Sequence, residues 1–124
     1  MPKSSVGNSS LSIKPMKKSL GLILKFREER NWKQFHLPKN LAISLALEAG
    51  EVLELFQWTK DNKLPPGRRE ELQAELADVY YWLLLIAHEF NIDLDKALAR
   101  KMVQNAKKYP VSKARGKSTK YHKL

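Results

Sequence analysis

The sequence of 124 residues contains no cysteine. That excludes a disulfide framework, a thiolate nucleophile and a Cys-ligated zinc site, and it fits a reducing compartment. Glycine (5) and proline (6) are few and fall mostly outside the apolar runs, which leaves those runs free to be helical. The longest uncharged apolar run, Val79 to Ala87, is far short of the roughly 20 residues a membrane span needs. The N-terminus reads as lacking the apolar h-region of a signal peptide. Residues 1–20 hold neither an acid nor an arginine, which argues against a mitochondrial presequence. The expected compartment is the cytoplasm, with no membrane partner. No glycine-rich phosphate loop, His-x-x-x-His pair or Ser–His–Asp set is present, and His36, His88 and His122 are scattered. Neither zinc chemistry nor a side-chain nucleophile is indicated.

Charge is plentiful but unevenly placed. The formal net charge is +10, yet residues 41–95 carry eleven of the thirteen acids and only four Lys/Arg, whereas residues 96–124 carry ten Lys/Arg and no acid. An acidic centre with basic ends suits a site where metal ions sit on the acids and a polyanion lies between them and the basic tail. A chain of this length is one domain with a modest core, the kind that gains by oligomerising.

Read in order, residues 1–18 form a Ser-rich tail of low apolar content, expected to be disordered. A helical domain spans residues 19–110, and a basic tail or flap spans 111–124. Ser19 caps a helix carrying Leu20, Ile23, Leu24 and Arg27 at helical spacing. An aromatic segment from Trp32 to Pro38 follows, a packed loop or a lid. Asn40 caps a second helix from Leu41 to about Trp58, apolar nearly all round, with Gly50 allowing close approach. The Pro65-Pro66-Gly67 turn leads to a third helix, Arg68 to about Asn91, and Asp93 caps a fourth, Leu94 to Lys108. The architecture expected is all-α, a four-helix-type bundle.

The chemistry centres on Glu48-Ala-Gly-Glu51 and Glu75-Leu-Ala-Asp78. Residues at i and i+3 share a helix face, so each pair offers two oxygens in one direction. Two such helices side by side bring four carboxylates together, an arrangement that makes sense around a hard cation, Mg²⁺ before Ca²⁺ or Mn²⁺. Solvated faces of two amphipathic helices are the plainer alternative. If a metal is held, the fitting reaction is metal-assisted hydrolysis of a nucleotide phosphoanhydride, which needs no protein nucleophile. Glu54, one turn on, is a further candidate for outer ligand or proton acceptor. Trp32, Phe35, Trp58 and Trp82 are candidates to enclose a base, although packing alone explains rings equally well. Lys101, Asn105 and Lys108 form a donor stripe on the fourth helix.

With these residues in place, the chain resembles the MazG-like all-α nucleoside triphosphate pyrophosphatases, and within them the dCTP pyrophosphatase branch. The resemblance is carried by the ExxE…ExxD signature of Glu48, Glu51, Glu75 and Asp78. It is also carried by the stretches Arg30–Leu41, Gly50–Trp58, Lys101-Met102 with Asn105, Tyr109-Pro110 and Ala114–Tyr121. It covers roughly residues 20–121. It implies a bundle that dimerises, commonly into a tetramer, and the reaction NTP + H₂O → NMP + PPi with attack at the α-phosphate. It implies Mg²⁺ on Glu48, Glu51, Glu75 and Asp78, with Trp32, His36 and Trp58 near the base. Lys101, Asn105 and Tyr109 would meet phosphate or sugar beneath a flap containing Arg115. Trp82 stands where close relatives carry a tyrosine. Leu47 stands where many MazG-like members carry an acid, which fits the dCTP branch. dCTP or a modified dCTP is the expected substrate, and clearing non-canonical or surplus nucleotides from the pool the expected role. The competing readings are a basic helical bundle that binds nucleic acid, disfavoured by acids set within apolar helices, and a non-catalytic scaffold.

Overall fold

The computed structural model describes the backbone of residues 3–124 and side chains from Met16 onward. Of the tail expected over residues 1–18, Met1 and Pro2 lie outside the described residues, and the side chains through Pro15 are likewise not described. Most of the described residues are helical and no strand occurs among them, so the all-α class holds. Five helices occur among the described residues: α1 (Lys3–Glu29), α2 (Pro38–Glu54), α3 (Arg69–Glu89), α4 (Leu94–Lys108) and the single-turn α5 (Val111–Ala114), with 3₁₀ turns at Lys33–Phe35 and Tyr121–Lys123. They divide between two compact units, Met1–Phe90 and Asn91–Leu124.

In the first unit, α2 packs extensively on α3, and α1 makes a smaller contact with α3. The helix expected from Ser19 is the C-terminal part of α1, whose end is closed by a Schellman motif. Asn31 takes the left-handed conformation (φ 54°), Asn31 N–H donates to the Glu28 carbonyl (3.0 Å), and Trp32 N–H donates to the Arg27 carbonyl (3.0 Å). This motif usually carries an apolar contact back onto the last turn. Here the Trp32 ring meets Phe26 edge-on, centroids 5.6 Å apart.

The second helix begins earlier than expected. Leu37, held extended (φ −74°, ψ 150°), is its N-cap and Pro38 its first residue, so Asn40 lies inside the helix rather than capping it. The proline ring pre-sets the helical φ and lacks only a donor that the first turn would leave unpaired. Asn40 instead donates to the Phe35 carbonyl, 3.4 Å away. The helix also ends earlier, at Glu54. Leu55 to Thr59 wind off in a looser turn, with Thr59 Oγ1 donating to the Phe56 carbonyl at 2.9 Å. The return to α3 uses Gly67 at φ 79°, with Arg68 N–H donating to the Pro65 carbonyl (3.2 Å). That is the geometry of a type II turn, which needs glycine at this position. Gly50 has no close neighbour within the chain: an added Cβ would meet nothing within 4 Å.

The buried apolar set among the described residues is small: Ile23, Leu41, Leu55, Leu84, Leu85 and Ala87. By contrast Ile43, Leu47 and Leu53 on α2, with Leu76 on α3, are exposed. In the second unit, Asp93 caps α4 as expected, its Oδ1 accepting from Lys96 N–H at 3.1 Å. Gly116 takes φ 76°, and Tyr121 packs edge-on against Tyr109 (6.1 Å) with Lys108 Nζ 5.0 Å from its ring centroid.

Candidate active site

Packing of α2 on α3 brings the two acidic pairs together. One carboxylate oxygen from each of Glu48, Glu51 and Glu75 lies within 4.8 Å of the others. Glu51 meets Glu75, while Glu48 shares a cavity wall with Asp78. Successive acids on α2 therefore match successive acids on α3 in reverse order, so the helices run antiparallel here. Asp78 stands at the edge of this cluster, exposed, and acts on Glu48 and Glu75 through its charge.

The cluster is electrostatically frustrated. A hydrogen bond to Glu51 and loss of water, reinforced by the charges of Glu51, Glu48 and Asp78, push the Glu75 carboxyl up to about 7. Burial first, then Glu51 and Asp78, raise Glu48, against which the Trp82 indole N–H pulls it back. Glu48 Oε2 and Glu75 Oε2 are both buried with no hydrogen-bond partner. Buried carboxylate oxygens normally find a donor. Two orphaned oxygens in a converging all-oxygen set fit a hard divalent cation, to which each would be a ligand. Protein donors do not resolve the cluster by themselves.

On one side of the acids lies a cavity of about 460 Å³ lined by Phe26, Trp32, His36, Glu48, Asp78, Tyr81 and Trp82. Its rings form a continuous edge-to-face chain. Trp32 meets Phe26, Phe26 meets Tyr81 (6.4 Å), Tyr81 meets Trp82 (4.9 Å) and Trp82 meets His36 (5.4 Å). Such contacts hold each ring at a fixed tilt, so the wall is pre-formed. Arg30 braces it from outside, its guanidinium 3.8 Å from the Phe26 centroid and Nη1 donating to the Phe26 carbonyl at 3.1 Å. Burial, then the charge of Arg27, lowers the His36 imidazole. His36 is therefore held neutral at physiological pH, with Nδ1 buried and free of a partner.

Not every residue singled out from the sequence reaches this cavity. Trp58 is 86% exposed and lies in a second cavity, of about 520 Å³, with Glu51, Glu54, Arg68, Glu71 and Glu75. Phe35 is exposed and lines neither. Lys101, Asn105, Tyr109 and Arg115 belong to the second unit. Lys101 and Arg115 are exposed there, and the Asn105 carbonyl accepts from Tyr109 N–H at 2.8 Å. Two residues escaped sequence reasoning. Phe26 joins the rings of Trp32 and Tyr81, and nothing in its spacing separates it from ordinary surface. Arg27 is 5% exposed. Its signal was visible: it occupies an apolar-stripe position after Leu20, Ile23 and Leu24.

In this setting the likenesses to known proteins take on meaning. Over 104 residues the chain is 43% identical to dCTP pyrophosphatase 1 of Mus musculus and 42% identical to that of Homo sapiens. Each alignment covers 80% of this chain and 61% of the relative. The chain thus spans about three-fifths of the length of these relatives. Its fold matches the crystal structure of a pyrophosphatase from Archaeoglobus fulgidus with a TM-score of 0.73 and 38% identity, covering 77% of this chain and 92% of that one. The model of the MazG-like family matches residues 43–124, a span that takes in Glu48, Glu51, Glu75 and Asp78. On that match and these identities, the chain belongs to the MazG-like family.

Proposed function

We propose that this chain is a Mg²⁺-dependent nucleoside triphosphate pyrophosphatase, acting on dCTP or a base-modified dCTP: NTP + H₂O → NMP + PPi. The observation that carries the proposal is the convergence of Glu48, Glu51 and Glu75 within 4.8 Å, bordered by a ring-lined cavity that Glu48 and Asp78 also wall. The names of the similar proteins point the same way.

Glu48, Glu51, Glu75 and Asp78 are assigned as ligands. Bound Mg²⁺ would neutralise phosphate charge and acidify a water molecule. The residues of the chain divide the remaining work. The ring belt of Trp32, Tyr81, Trp82 and His36 takes the planar base and excludes water from it. Neutral His36 offers a hydrogen bond without adding charge. Glu54, which lines the cavity on the Glu51 side, is assigned to accept the proton of the attacking water. Lys101, Asn105, Tyr109 and Arg115 are assigned to phosphate and sugar, and Trp58 to the base. Exposed Ile43, Leu47 and Leu53 on α2 and Leu76 on α3 support a homo-oligomer that covers them. Among the described residues no helix is long and apolar enough to cross a membrane, which is compatible with a cytoplasmic enzyme.

The test is pyrophosphate release from a panel of nucleoside triphosphates, with and without Mg²⁺, by the parent and by Glu51→Gln. Metal-dependent formation of monophosphate and pyrophosphate, strongest with cytosine nucleotides and lost in the variant, is expected. Equal rates across the panel would remove the cytosine assignment. No turnover by folded, Mg²⁺-binding protein would remove the reaction.

A further inference from the structure

The unit Met1–Phe90 contains a third hollow, of about 350 Å³, that the proposed reaction does not use. Its walls are Leu24, Arg27, Glu28 and Asn31 from the end of α1, Lys33 from the turn that follows, and His88 from the last turn of α3. Arg27 is 5% exposed, and its Nη1 is buried with no hydrogen-bond partner. Among the described residues no carboxylate lies within ion-pair distance of it; the ion pair found among them, Arg68–Glu71 at 3.2 Å, is elsewhere, at the start of α3.

Cations are favoured near helix C-termini, which accounts for Lys33 and His88. That effect is satisfied at the surface and gives no reason to take a guanidinium out of water. A buried lysine or carboxyl can escape its cost by becoming neutral, but arginine keeps its charge at any physiological pH. Arg27 therefore needs an acceptor, and its Nη1 lacks one: the one acid lining the hollow, Glu28, is out of ion-pair range, and Asn31, which also lines it, makes no hydrogen bond to Nη1. Against that one acid stand Lys33 and the imidazole N–H of His88. The turn that presents Lys33 is rigid: Asn31 is held left-handed and its carbonyl accepts from Gln34 Nε2 at 3.0 Å. A buried guanidinium fork beside a second cation on a fixed turn matches a tetrahedral oxyanion.

We propose that this hollow is a second anion site, which binds a phosphate-class oxyanion through Arg27 and Lys33. The ligand is free phosphate, pyrophosphate or the phosphoryl group of a nucleotide. The charge of Arg27 also reaches His36 and Tyr81, so its neutralisation by an anion is felt in the ring-lined cavity.

The test uses the full, isotope-labelled chain with EDTA present and ionic strength held constant with chloride. Inorganic phosphate, pyrophosphate and dCMP are titrated in turn while the backbone amides of Asn31 and Lys33 and the ring of His88 are followed by NMR. Saturable shifts are expected, absent in Arg27→Met and with affinity about tenfold weaker in Lys33→Gln. They should be unchanged in Glu51→Gln. The tightest of the three ligands assigns the source of the phosphate group. Shifts that fail to saturate, or that persist with the same affinity in both Arg27→Met and Lys33→Gln, would overturn the site. Should Arg27→Met not fold, the exposed Lys33→Gln decides alone, and unchanged affinity there is the refuting result. Because metal is absent and turnover is not the readout, failure of the pyrophosphatase assay leaves this test standing.

Discussion

Metal binding by the acidic cluster should expel a proton, and the amount should depend on pH in a defined way. With its carboxyl raised to about 7, Glu75 is about 0.9 protonated at pH 6 and about 0.1 protonated at pH 8 in the metal-free protein. A cation ligated by Glu75 must displace that proton. Calorimetric titration with Mg²⁺ in buffers of different ionisation enthalpy should thus report release of about 0.9 proton at pH 6 and about 0.1 at pH 8. Glu48, raised in the same direction, adds to the release at the acid end. Below pH 7 the apparent affinity should climb about tenfold per pH unit for each proton displaced, then level off. In Glu75→Gln the Glu75 share of the release vanishes. Equal proton release at pH 6 and pH 8 by the parent, or an undiminished difference in Glu75→Gln, would refute the assignment of Glu75 as a ligand with a raised pKa.

Further expectations follow from the same geometry. The raised carboxyl of Glu75 makes the metal-free fold bind its proton more tightly than the unfolded chain does. This contribution to stability is fully present below about 4.5 and is lost as pH rises through about 7. Thermal melting in EDTA should therefore fall between pH 5 and pH 8, and Mg²⁺ should restore it at pH 8. Glu51→Gln removes both a proposed ligand and the partner of Glu75. It should lower apparent Mg²⁺ affinity by more than the about 10–100-fold typical of an outer-shell change, as read by calorimetry. Asn31→Ala forces a side chain poorly suited to φ 54° into the left-handed turn. About 1 kcal/mol of stability should be lost in urea denaturation, with Asn31→Gly near neutral. Leu47→Asp, at a 65% exposed apolar position, should shift sedimentation towards smaller species while leaving the helical circular dichroism intact.

Much of the site was legible because helical periodicity is a strong constraint. The three-residue spacing of Glu48 with Glu51 and of Glu75 with Asp78 already fixed two faces, and the only further requirement was that α2 and α3 pack together. Asp93 was legible as a cap for the same local reason. The start of α2 was misplaced because two signals competed at Leu37 to Asn40. The fixed φ of Pro38 outweighed the capping preference of Asn40. Trp58 could not be placed from spacing, since α2 unwinds at Leu55 and later residues leave the helical register. The ring belt depends on contacts between α1, α3 and the turn between α1 and α2, and no local pattern records those contacts. Arg27 was written in plain sight as a cation on an apolar stripe, a conflict between residue type and position that often marks function.

The shortage of buried apolar side chains in the described part of the chain bears on how this protein responds to its own abundance. If the proposed homo-oligomer covers Leu47, Leu53 and Leu76, the subunit draws part of its folding free energy from mass action. Its melting temperature should then rise with protein concentration, and dilution acts on it as a denaturant does. Newly made chains at low copy number would be the most vulnerable to proteolysis. Catalytic output would scale more steeply than linearly with synthesis until the pool of paired subunits is filled. Expression level would thereby become a control on the proposed activity, acting through the fold itself.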